Sequence, residues 1–224
     1  MEAKDLSAEL SRRFRTVAVE GPIGVGKTTL VRRAEQLLGL KAVYDRAFEN
    51  PLLRDFYGNM DKLAFATQVQ FAVDRSRLWK TSLMGSGKGC VVVDFLPQRD
   101  LVFADNNLKA PESLIFRDLY GELFREATQP DAIVFLAADT GVLIDRIANR
   151  GIAYEGKITR KYLQSVSDAF HRFMSTLEGV PVLIVNTNDY DIVQNQSSVL
   201  DIFSQLLDMP PELRHYVPVN NRRT

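Results

Sequence analysis

The chain has 224 residues, 28 basic and 28 acidic side chains, no formal net charge and 46% hydrophobic residues. High apolar content without net charge excludes a disordered chain. No run of 18 apolar residues is present to span a membrane, and neutrality argues against bulk binding to polymeric nucleic acid.

A chain of this length buries roughly 70% of its unfolded surface in one core, so a single domain over 1–224 is expected. Residues 1–15 are polar and lack the apolar stretch of a secretory signal. The one cysteine, Cys90, has no disulfide partner within the chain and opens an apolar run, so it reads as a small buried hydrophobe. Both features fit a cytoplasm or another reducing compartment.

The predicted elements alternate along the chain. Thr16–Glu20 (TVAVE) is short, apolar and β-branched, the mark of a buried strand. A helix over Lys27–Leu38 follows and ends at Gly39, a plausible left-handed stop. A strand at 41–44 and a long helix over 61–84, halted by a glycine-rich stretch, come next. A strand at 90–94 leads to a helix over 111–128, then a strand at 132–136. Helices over Thr140–Arg150 and 158–177, a strand at 182–185 and a helix over 197–207 complete the pattern. The order β-α-β-α-β-α-α-β-α-α-β-α predicts an α/β three-layer fold: a five-stranded parallel sheet with helices on both faces and right-handed crossovers. The tail, 211–224, is read as loose or docked on a partner.

Between the first strand and its helix, Gly21-Pro22-Ile23-Gly24-Val25-Gly26-Lys27-Thr28 matches G-x-x-x-x-G-K-[ST] in full. Strand before and helix after are the context this phosphate-binding loop requires. Glycines let consecutive N–H groups turn inward around an anion, and the helix N-terminus adds partial positive charge. Lys27 is expected on the β- and γ-phosphates of ATP, the Thr28 hydroxyl on Mg²⁺, and Thr29 beside them. Asp94 ends a strand of four apolar residues, in the manner of a Walker B acid, and is the second expected Mg²⁺ ligand. A GTPase is disfavoured: Asn186-Thr187-Asn188-Asp189 has the spacing of a guanine reader but lacks its lysine, and reads as loop chemistry.

VAVEGPIGVGKTTL, FENPLLRDFY, FATQVQFAVDRSRLW, VVVDFLPQRDLVFA and DRIANRGIAYE occur in that order over about residues 16–185. Together they resemble the deoxynucleoside kinase family, most of all its bacterial deoxyadenosine/deoxyguanosine branch. The resemblance implies ATP·Mg²⁺ as phosphate donor, a purine deoxynucleoside as acceptor at its 5′-hydroxyl, and a homodimer. It implies that Asp45, where the family usually has glutamate, is the general base, with Glu49 as the fallback. It places Gln68 on the base edge, with Arg75 and Asp100 setting base preference. Seven residues is two helical turns, so Gln68 and Arg75 share a face. Tyr57 and Glu155 would hold the 3′-hydroxyl, and a lid over about 150–157 would bring Arg150 to the phosphoryl group. Arg146 either assists or faces the base of ATP. Phe65, Phe71 and Phe95 are open between stacking surface and core.

The chain also departs from the family. Animal members carry an arginine directly after the strand-end acid, where this chain has Asp94-Phe95-Leu96; many relatives have a further lid arginine where it has Ile152. His171 and His215 form no evident site. A nucleoside monophosphate (thymidylate-type) kinase and a non-catalytic P-loop subunit or nucleotide sensor remain as alternative readings. Carboxylates at Asp45 and Glu155 in the acceptor pocket weigh against the first, and intact Lys27, Thr28, Asp94 and Arg150 against the second.

Overall fold

A computed structural model describes residues 2–84, 89–188, 192, 195–209 and 213–216, with backbone alone for 82–84 and 213–216. In chain order the elements are α1 (Ala3–Arg13), β1 (Thr16–Glu20), α2 (Lys27–Leu38), β2 (Lys41–Val43), α3 (Leu53–Phe56), α4 (Met60–Met84), β3 (Val91–Val93), α5 (Arg99–Asn107), α6 (Glu112–Leu123), β4 (Ala132–Ala137), α7 (Thr140–Arg150), α8 (Arg160–Ser175), β5 (Val182–Asn186), α9 (Gln196–Leu207) and β6 (Leu213–Tyr216). Short 3₁₀ turns cover Ala47–Glu49 and Ala153–Lys157.

The sheet runs β2-β3-β1-β4-β5-β6, and every pairing is parallel. The five expected strands all form. A sixth, β6, extends the sheet from within the stretch read as a loose tail, pairing Val182 with Leu213 and Val185 with Tyr216. Residues 210–212 and 217–224 lie outside the described ones.

All five residues of β1 are buried, because helices cover both faces of the sheet. Alternate side chains divide between two layers. Val17 and Val19 pack with Leu6, Leu10, Leu30 and Phe203 from α1, α2 and α9. Ala18 faces Phe170 and Met174 of α8 on the other side. Helix α1 has no counterpart in the sequence reading, which took the N-terminus as merely polar; Leu6 and Leu10, one helical turn apart, are fully buried. Arg13, in its last turn, donates to the carbonyls of Leu207 and Met209, tying α1 to the end of α9.

Cys90 enters β3 buried, 2% exposed, and its N–H donates to Ser11 Oγ of α1 at 3.3 Å. Burial pushes its thiol up to about 12. Among the described residues no helix is long and apolar enough to cross a membrane.

Strand β1 is the switch point of the sheet: β2 and β3 lie to one side of it and β4, β5 and β6 to the other. In open parallel sheets a crevice forms beyond the strand C-termini at such a point. Here the ends of β1, β2 and β3 deliver Glu20, Asp45 and Asp94 to one region.

Candidate active site

A cavity of about 430 Å³ opens at that crevice, a size ordinary for a small-molecule site. Ile23, Gly24, Lys27, Thr28 and Thr29 line its phosphate-loop end. The loop is held tightly to its surroundings. A Cβ at Gly21 (φ +151) would lie 2.3 Å from the Leu136 carbonyl oxygen, and one at Gly24 (φ +84) would lie 2.8 Å from Ile147 of α7. Glu20, fully buried, accepts from the N–H of Gly21 at 2.8 Å and of Leu96 at 2.9 Å, fastening the loop to the chain leaving β3.

Lys27 Nζ donates to the carbonyls of Gly21 and Pro22. Burial first, and the Arg99 guanidinium next, lower its pKa to about 7 against the pull of Glu20, Asp94 and Asp45. An arriving phosphate would raise it again, since an adjacent anion favours the charged lysine. Thr28 Oγ1 donates to Asp94 Oδ2 at 2.5 Å, while Asp94 Oδ1 is buried without a hydrogen-bond partner. Burial pushes Asp94 up to about 6. A hydroxyl beside a carboxylate with one unused oxygen fits a hard divalent cation that also takes phosphate and water oxygens. The donor set of Thr28 and Asp94 thus fits such a cation. Among the described residues no group of three or more His, Cys, Asp or Glu forms a dedicated metal cage.

Asp45 sits at the centre. Arg75 Nε donates to its Oδ1 at 3.2 Å and Arg75 Nη2 to its Oδ2 at 2.9 Å, while Arg99 Nη1 reaches Oδ2 at 3.1 Å. Burial acts to raise its pKa, but the two guanidiniums outweigh burial and hold the carboxyl below the ordinary aspartate range. Glu49, the fallback base, does not line the cavity; it is exposed and faces Arg46 at 3.8 Å.

Helix α4 explains how the middle of the cavity is built. Ala64, Gln68, Ala72, Arg75 and Trp79 recur every three or four residues and are all buried, so they form the inward stripe. Two of the five are polar. Gln68 lines the cavity with its Oε1 unpaired. Arg75 spans two carboxylates: besides Asp45, its Nη1 donates to Asp100 Oδ1. Asp100 is fully buried behind Arg75 and does not line the cavity, so its part in any base contact runs through that arginine. Of the three phenylalanines left open, only Phe71 lines the cavity, with the Arg75 guanidinium 4.5 Å from its ring centre. Phe95 packs edge-on to Trp79 in the core, and Phe65 packs on the same cluster.

Tyr57, Tyr154 and Tyr162 form an aromatic wall of the cavity, with Tyr57 stacked on Tyr154 at 6.4 Å and edge-on to Tyr162 at 6.2 Å. Burial, then the neighbouring Tyr162 and Glu155, raise the Tyr57 pKa and keep it a phenol. Glu155 and Arg150 also line the cavity, and Arg150 donates to Glu155 through both Nε and Nη2.

Arg146 does not line this cavity. It donates to the Val25 carbonyl, on the outer side of the phosphate loop, and to Thr187. Asn186 accepts from the Asn188 N–H, and Asn188 from the Asp139 N–H, so this segment latches β5 to the end of β4. Asp189 lies outside the described residues, as does the side chain of His215. His171 is a surface residue against the Phe135 ring.

Two groups escaped the sequence reading. Glu20 could have been suspected from a carboxylate ending a fully apolar strand. Arg99 stands at the first residue of α5, where the helix dipole disfavours a cation by roughly 0.3–1 kcal/mol, so an arginine there implies acidic partners.

A family model described as deoxynucleoside kinase matches residues 17–209. The deoxyguanosine kinase of Bacillus subtilis (strain 168) is 31% identical over 187 residues, covering 81% of this chain and 90% of that protein. The deoxyadenosine/deoxycytidine kinase of the same organism is 27% identical over 197 residues, covering 85% and 90%. Among solved structures, deoxyadenosine kinase from M. mycoides with bound dCTP superposes with a TM-score of 0.74 at 21% identity, over 87% of this chain and 100% of that one. At that identity the likeness speaks for the fold.

Proposed function

The chain belongs to the deoxynucleoside kinase family and is an ATP-dependent phosphotransferase; from that premise we propose a purine deoxynucleoside, deoxyadenosine or deoxyguanosine, as its acceptor. The observation that carries this reading is one cavity lined by Lys27 and Thr28, by Asp45 and Gln68, and by Tyr57 and Glu155 together. Its polar groups bring together donors and acceptors suited to phosphates, a 5′-hydroxyl, a base edge and a sugar hydroxyl.

Lys27 and the loop amides bind the phosphates of ATP, and Arg150 closes on the transferring group with planar, permanently charged donors. Thr28 and Asp94 would hold Mg²⁺, which would supply charge to offset that of the phosphates. Asp45 accepts or orients the 5′-hydroxyl proton. The Gln68 amide, with its unpaired oxygen, reads the base edge, and Arg75 is fixed beside it by Asp100. Tyr57 donates to or accepts from the 3′-hydroxyl opposite Glu155. The two named relatives are a deoxyguanosine kinase and a deoxyadenosine/deoxycytidine kinase; each is named for a purine deoxynucleoside and one for a pyrimidine besides, which supports purine first. Exposed Leu114 and Ile115 on α6 support association of two copies, and the lone buried cysteine supports a reducing cytoplasm as the working compartment.

ADP release from Mg·ATP with each of the four deoxynucleosides, and with dTMP and dAMP, tests the reading. Turnover with deoxyadenosine or deoxyguanosine is expected. Turnover only with a monophosphate would make the protein a nucleotide kinase, and ATP binding without turnover would make it a sensor or subunit.

A further inference from the structure

Arg99 has no part in the assignments above, yet its position is unusual for a structural arginine. It is buried, 6% exposed, and lines the cavity together with Lys27, Thr28 and Asp45. Its pairing is incomplete. Arg75 already holds Asp45 on both oxygens, so the bond from Arg99 Nη1 is a second cation on a carboxylate that one guanidinium satisfies. Glu20 already accepts two backbone N–H groups, and Arg99 Nε stands 3.8 Å from it, beyond hydrogen-bond reach. That Nε is buried with no hydrogen-bond partner. The guanidinium is also at the start of α5, against the helix dipole. A buried guanidinium that shares its carboxylates with other donors and keeps an idle Nε–H, in a cavity wall beside Lys27, has a donor open to a further anion.

The local chain explains how it comes there. Phe95 turns into the core against Trp79, and the Leu96 N–H is pinned to Glu20. The turn at Pro97 and Gln98 then begins α5 directly beside the ends of β1 and β2. The Phe103 ring, one turn along α5, lies 5.7 Å from the guanidinium and supports its flat face.

We propose that Arg99 is a catalytic residue of the phosphoryl transfer, binding the phosphoryl group in flight and, as it leaves Asp45 Oδ2, freeing one lone pair of that oxygen, beside the Arg75 bond that remains, for the acceptor's proton. The inference rests on the kinase reading above. As the 5′ oxygen bonds to the γ-phosphorus, the bond from that phosphorus to the β–γ bridging oxygen breaks. The hydroxyl proton passes to Asp45, and ADP departs with the electron pair. Charge on the equatorial oxygens is met by Arg99 from the acceptor side and Lys27 from the loop side.

The test compares the parent with Arg99→Met, Arg99→Lys and Arg99→Ala, using the best acceptor of the panel above. In Arg99→Met we expect kcat to fall about 10²–10³-fold, the loss typical of one transition-state donor. The Kd for Mg·ATP and the KM for the nucleoside should stay within about threefold, since the interaction is made in the transition state. Added guanidinium should raise kcat of Arg99→Ala but not of the parent. Arg99→Lys keeps the charge without the fork and should remain well below the parent at an unchanged melting temperature; it decides the matter if Arg99→Met does not fold. An unchanged kcat in folded Arg99→Met or Arg99→Lys, with any defect confined to melting or KM, makes Arg99 a structural tie and overturns the proposal alone. A parent that turns over no deoxynucleoside overturns the kinase reading and this inference with it.

Discussion

Arg150 and Glu155 are bound to each other: the arginine Nη2 lies 2.6 Å from both carboxylate oxygens and Nε lies 3.0 Å from one of them. The first is assigned to the phosphoryl group and the second to the sugar, so without substrate the two groups neutralise one another. A 3′-hydroxyl that engages Glu155 releases Arg150 towards the phosphates. Glu155→Gln should therefore raise ATP hydrolysis measured without nucleoside. It should also lower kcat/KM for the deoxynucleoside about 10–100-fold, the worth of one hydrogen bond to a charged group. Unchanged background hydrolysis would show that the pair does not restrain Arg150.

Asp45→Asn keeps the shape of the side chain but removes its charge and its basicity. We expect kcat to fall about 10²–10⁴-fold, the span of general base contributions, with ATP affinity retained. The same variant has a signature in stability. A carboxyl held below its ordinary value of 3.8 contributes stability that is fully present above that value and is lost as pH falls through the lowered one. Denaturant titrations should give a parent-to-variant difference that is flat from about pH 5 to 7 and shrinks below about pH 4. A difference that grows on acidification would contradict the assigned direction.

Gln68 is buried on the inward stripe of α4 with its amide oxygen unpaired, whereas Arg75 on the same stripe is ion-paired. Gln68→Leu should raise the melting temperature, because the variant no longer buries an unpaired amide oxygen, worth about 1–3 kcal/mol. Turnover of every deoxynucleoside should fall, and discrimination between bases should narrow. A variant that loses stability while keeping its base preference would show that the amide serves packing instead.

Gly21 admits no side chain, since an added Cβ would meet the Leu136 carbonyl oxygen at 2.3 Å. Gly21→Ala should cost about 1–3 kcal/mol of stability in backbone strain and weaken ATP binding, because the loop must move from its seat on β4. Isothermal titration with ATP and thermal melting check both effects.

The fold was readable where a pattern was simple. Strands β1, β3, β4 and β5, buried on both faces, show as unbroken apolar runs, and Gly39 does stand left-handed at the end of α2, φ +64. Helix α1 was missed because its buried pair, Leu6 and Leu10, is diluted by polar residues on the remaining face. The phosphate loop was legible because its chemistry is local in sequence. The hub around Asp45 was less so. Arg75 is 30 residues from it and Arg99 is 54 residues away, and only the sheet order brings them together. Asp100 was found, but its place behind Arg75 and outside the cavity is a matter of tertiary depth that spacing does not encode.

The seat of Cys90 between β3 and α1 makes the molecule its own stopwatch. The chain has a single sulfhydryl, enclosed at 2% exposure and held protonated by burial. Maleimides and disulfide reagents require an accessible thiolate, so they modify this protein at the rate at which α1 lifts from the sheet. Because α1 is also tied to α9 through Arg13, that rate reads the joint detachment of the two terminal helices. Substrate binding on the opposite edge of β1 can then be followed as a change in labelling time, without touching a single residue of the site.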